Sequence, residues 1–108
     1  MSGKPQQKNI NVELHQDQAE GIYANLALIT HSASEFIIDF ARLMPGSPKA
    51  RIHARIVMTP QNFKNLQRAI AENIGKFEAQ YGTIPIQGQG VGTVNFEEPT
   101  TEEKDKVH

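Results

Sequence analysis

The sequence predicts an α+β domain. An antiparallel meander of about four strands is followed by one long C-terminal amphipathic helix packed on one face of the sheet. Three observations carry this. Gly21–Met58 holds three apolar runs separated by turn-forming residues. Thr59-Pro60 follows at once, a good N-cap and then a residue favoured at the first helical position. Beyond it Phe63, Leu66, Ile70, Ile74, Phe77 and Tyr81 recur at steps of three and four, close to the helical period of about 3.6 residues.

A chain of 108 residues makes one domain. Residues 1–8 read as a disordered arm, residues 9–83 as the domain, and residues 84–108 as a mobile tail, first Gly/Gln-rich and then acidic. Within the tail, Ile84, Ile86, Val94 and Phe96 suit docking on a partner as a short linear segment.

Asn9–His15 alternates, with Ile10, Val12 and Leu14 on one side, and predicts a short half-buried first strand. Gln16–Glu20 is a polar connector. Ile22–Thr30 is apolar except for Asn25 and predicts a strand covered on both faces. His31–Ser34 makes a turn. Glu35–Met44 then puts Phe36, Ile38 and Phe40 on one face and Ile37, Asp39 and Ala41 on the other. MPGSPK reverses the chain with two Pro and a Gly. In Ala50–Thr59, Ile52, Ala54, Ile56 and Met58 point one way and Arg51, His53, Arg55 and Val57 the other. Counting back across the loop sets Asp39 opposite Arg55, within about one residue, a cross-strand pair contributing about 0.2–1 kcal/mol. The helix carries Lys64, Arg68, Glu72, Lys76 and Glu78 on its other faces and ends at Gly82. Gly75 inside it costs about 1 kcal/mol against Ala, and so is expected to mark close packing on a neighbour.

One helix covers one face of such a sheet, yet the second and third strands place apolar residues on both. Monomers rarely expose a patch that large. A homodimer or a larger oligomer is therefore expected, the alternative being a stable hetero-partner on that face, with the stripe Phe63, Leu66, Ile70, Ile74, Phe77 and Tyr81 serving as core or dimer seam.

Composition excludes several chemistries. There is no cysteine, so disulfides, thiolate zinc sites and cysteine nucleophiles are out, consistent with a reducing cytoplasm. MSGKPQQK lacks the apolar segment of a secretory signal, and no apolar run approaches the about 20 residues that cross a bilayer. A cytoplasmic protein with no membrane partner is expected. Residues 1–83 carry nine Lys/Arg and seven Asp/Glu, and residues 84–108 two Lys and five acids. A body of net +2 lacks the strongly basic face of a dedicated nucleic-acid binder.

The four histidines, His15, His31, His53 and His108, show no metal-ligand spacing. A surface site built from His31, Glu35, Asp39, His53 and Arg55 is one functional reading; a polar sheet face with ordinary ion pairs is the simpler one. Gly88, Gly90 and Gly92 alternate without the phosphate-loop pattern or a following helix, and read as a linker. Lys49, Arg51 and Arg55 make a basic ribbon able to touch phosphates, with Asp39 opposing it. No catalytic, cofactor or metal residue is assigned. Asp39, Lys49, Arg51, His53 and Arg55 form the candidate partner-binding patch.

Ala19–Tyr81 resembles the bacterial family called domain of unknown function 3467. The matching marks are YAN at Tyr23–Asn25, HSxSEF at His31–Phe36, DFAR at Asp39–Arg42, PG at Pro45-Gly46, and the TP that opens the helix. The family has no assigned catalytic residues to carry over. In Bacteroides-like bacteria its members look to be encoded beside the large RNA polymerase subunits, and the resemblance thus implies a partner in the transcription machinery. The expected function is a non-catalytic, homodimeric interaction protein. The alternatives are a nucleic-acid binder using Lys49, Arg51 and Arg55, and a small-ligand or enzyme site around His31 and His53.

Overall fold

The computed structural model describes residues 9–86 and Glu97. The proposed arm (1–8) and nearly all of the proposed tail beyond Ile86 lie outside the described residues. Strand β2 (Phe36–Leu43) is the centre of a three-stranded antiparallel sheet, with β1 (Leu26–His31) and β3 (Ala50–Met58) at its edges. The 22-residue helix α1 (Pro60–Tyr81) follows. The chain groups into two compact units, residues 1–71 with the sheet and the first turns of α1, and residues 72–108 with its last turns.

The turns form where the sequence places its breakers. Ser32 N–H donates to Glu35 O at 2.9 Å to close the β1–β2 hairpin. Between β2 and β3, Ser47 N–H donates to Met44 O at 3.0 Å across Pro45-Gly46, and Gly46 has φ +81. Pro before a Gly of positive φ is the type II turn signature. Helix α1 opens as expected. Thr59 Oγ1 accepts from Asn62 N–H at 3.2 Å, and Thr59 O accepts from Phe63 N–H at 2.9 Å. It ends at Gly82, with φ +103, whose N–H reaches Glu78 O at 2.9 Å.

The sheet has three strands, not four. Asn9–His15 joins no ladder, and Val12 is 86% exposed. Its alternation suits a pleated surface, but a strand exists only through a ladder with a neighbour, and none takes this segment up. A 3-10 turn, Gln16–Gln18, follows it. Strand β1 also starts later than expected, at Leu26. Leu26 pairs with Ala41, so the same register would set Ile22 against Pro45, where β2 has already turned away. Asn25 finishes the ladder with its side chain. Its Nδ2 donates to Leu43 O at 3.0 Å, and its Oδ1 accepts from Leu43 N–H at 2.8 Å.

Strand β3 departs from strict alternation. Asp39 faces Arg55 and Phe40 faces Ala54, but Ala41 faces Ile52. His53 is the extra residue of a β-bulge. The slip reverses the facing of everything before it. Arg55 shares a face with Asp39, whereas Arg51, opposite Arg42, belongs to the face of Phe40. The expected common face of Arg51, His53 and Arg55 is thereby broken.

Among the described residues the buried ones are Ile38, Asp39 and Ala41, all on β2. In the first unit α1 meets the sheet where the rings of Phe36 and Phe63 stack, centroids 4.2 Å apart and planes 4° apart. His31 adds an edge to this stack, 5.3 Å from Phe36. No residue of α1 is buried. Gly75 marks no close packing, because a Cβ built there meets nothing within 4 Å.

Candidate interaction surfaces

The predicted polar patch centres on Asp39 and Arg55, brought together by the β2–β3 register. Arg55 Nε donates to Asp39 Oδ1 at 2.6 Å and Nη2 donates to Oδ2 at 2.9 Å. Two parallel bonds from a planar guanidinium to a carboxylate form a strong, directional pair. The pair is asymmetric: Asp39 is 1% exposed, the Arg55 side chain 51%. The hydrogen bond first, and then the charge of Asp39, raise the Arg55 guanidinium above its already high ordinary value. Asp39 is thus walled off from any partner, and Arg55 is its counter-ion.

The other patch residues scatter. Arg51 is exposed on the opposite face and His53 on the bulge. Lys49 is exposed in the β2–β3 loop, where Ser47 Oγ donates to its carbonyl at 3.1 Å. His31 packs on Phe36, on the face away from Asp39, and so does not join Asp39 in one site. No group of three His, Asp or Glu residues suited to a metal occurs among the described residues.

The sequence reading overlooked Arg42. Its Nη2 donates to Tyr23 O at 3.2 Å, and its guanidinium carbon lies 5.7 Å from the centre of the Tyr23 ring. Arg51, a like charge, is its partner across the ladder, and the Tyr23 carbonyl and ring give the guanidinium favourable contacts. The signal was present: Arg42 falls in DFAR and Tyr23 in YAN. Together with Asn25 on Leu43, Asp39 on Arg55, the Pro45-Gly46 turn and the Thr59 cap, this contact helps to hold the fold.

Among the described residues, α1 takes part in two open apolar surfaces. In the first unit, Phe36, Phe63, Leu66, Ile70 and Ile29, with Lys64 at the rim, line an open groove of about 560 Å³. In the second, the rings of Phe77 and Tyr81 lie 4.9 Å apart at 48° and are exposed, and Glu78 Oε2 accepts from Ile84 N–H at 2.9 Å.

The family model described as "Protein of unknown function (DUF3467)" matches residues 1–86. The chain belongs to this family. No curated protein and no solved structure matches it. Among the described residues, no helix is long and apolar enough to cross a membrane.

Proposed function

We propose that this DUF3467 protein is a non-catalytic interaction module that works as a homodimer. One observation carries the reading. Helix α1 runs 22 residues with an apolar stripe of which no residue is fully buried, leaving Ile70 49% and Tyr81 68% exposed. A helix owes most of its stability to packing an apolar face, and an open stripe of this length marks a binding surface. The side chains of Asn25, Asp39, Arg42 and Thr59 are engaged in ladder ends, an ion pair and a helix cap, which supports the non-catalytic part.

The partner beyond the second copy is proposed to be a component of the cytoplasmic transcription machinery, on the gene association that the family resemblance suggests. A tagged copy expressed in its host should retain the large RNA polymerase subunits through washing; recovery of the bait alone would remove this assignment. The basic-ribbon alternative loses its geometry, because Arg55 is bound to Asp39 and Arg51 faces the other way.

A further inference from the structure

We infer that two copies pair through α1 as antiparallel helices, with the Phe77 and Tyr81 rings of each copy seated in the other's Phe36/Phe63 groove. The inference deepens the homodimer reading and rests on it. Its first support is the order of the stripe. About a centre at Glu72, Ile70 and Ile74 are equidistant, Phe63 and Tyr81 are equidistant, and Leu66 and Phe77 agree within one residue. A two-fold interface requires such self-matching, since residue i meets j while j meets i. Turned end for end, the stripe meets itself: Ile70 on the partner's Ile74, Leu66 on the partner's Phe77, Phe63 on the partner's Tyr81.

The second support is shape. The groove is apolar and lies beside Phe63, Leu66 and Ile70, the positions this register sets against the partner's Phe77 and Tyr81. Those rings already form an exposed pair at the far end of the helix. The third is charge. Lys64, at the groove rim, and Glu78 fall on the same flank of the stripe by helical spacing, and the antiparallel register brings each within two residues of the other across the seam. Glu78 spends one oxygen on Ile84 N–H, and a carboxylate accepts more than one bond. Arg68, Glu72 and Lys76 space to the opposite face, in solvent.

The chain has no cysteine, so a single introduced thiol gives one spin label per copy. In the antiparallel seam, labels on Gln61→Cys are separated along the axis by about 33 Å, while labels on Ala71→Cys are held mainly by the helix spacing of about 8–10 Å. A long distance at 61 with a short one at 71, measured by double electron–electron resonance on the full chain, is the expected result. Short distances at both positions mean a parallel seam, and long distances at both mean that α1 is not the interface; either overturns the inference. Ile70→Glu/Ile74→Glu is expected to raise the dimer dissociation constant at least about tenfold, and a dimer as tight as wild type also overturns it. Should that variant fail to fold, the label distances, taken with the seam intact, still decide. A wild-type monomer ends the homodimer reading itself, whereas a dimer with the wrong distances ends only the seam.

Discussion

In β2 the middle of the strand finds its partners within the chain. Ile38 lies between Ile29 and Ile56, Asp39 is clamped by Arg55, and Ala41 is sealed. In α1, with 22 residues, no residue of the stripe from Phe63 to Tyr81 is fully buried, and Phe63 meets the sheet on Phe36. Both elements are amphipathic. The central strand has neighbours on both sides, whereas the helix leaves Ile70, Ile74, Phe77 and Tyr81 exposed. Amphipathicity states that a face needs covering; it does not state whether the cover is in the same chain.

Substitutions in the two elements should therefore fail in different ways. Ile38→Ala is expected to lower unfolding free energy by about 2–4 kcal/mol, read by urea denaturation, because it empties a buried site. Ile74→Ala should act on dimer affinity instead, and an equal loss in both variants at a dilution that separates the copies would erase the contrast.

Next comes the ion pair. Arg55→Ala strands the buried Asp39 carboxylate, so it should melt well below wild type, and Arg55→Ala/Asp39→Ala should melt above Arg55→Ala alone. No recovery in the double variant would show that the pair's worth lies elsewhere. The raised Arg55 value gives stability that is complete below its ordinary range and is lost only as pH rises through the raised one, so the Arg55 end of this pair adds no melting shift across neutral pH.

Smaller effects test the two ends of the comparison. Thr59→Ala removes the bond to Asn62 N–H and should cost about 1 kcal/mol. Gly75→Ala should instead gain about 0.5–1 kcal/mol, since the added methyl meets open space in a helical backbone. A loss at Gly75 would mean that a partner approaches the helix there, off the proposed seam.

Elements that announce themselves locally were legible in the sequence. The Thr59-Pro60 start, the Gly82 stop, the Pro45-Gly46 turn and the Asp39–Arg55 register all follow from residue type and counting. The Asn9–His15 strand was misread because alternation reports compatibility with a sheet and not the presence of a neighbour. The bulge at His53 was invisible for a related reason. ARIHARIVM alternates without a flaw, and only pairing against β2 shows that one residue is extra. That single residue divides what read as one basic face into two. The partner patch was thus the least legible part, since it depended on facing. The apolar stripe of α1 was read correctly as a stripe, but spacing alone did not separate core from seam.

The central claim is that α1 is covered by a second copy of the chain. Multi-angle light scattering of the full-length protein at micromolar concentration tests it most directly. A mass twice that of one chain is expected; the mass of a single chain would mean that no second copy covers the helix.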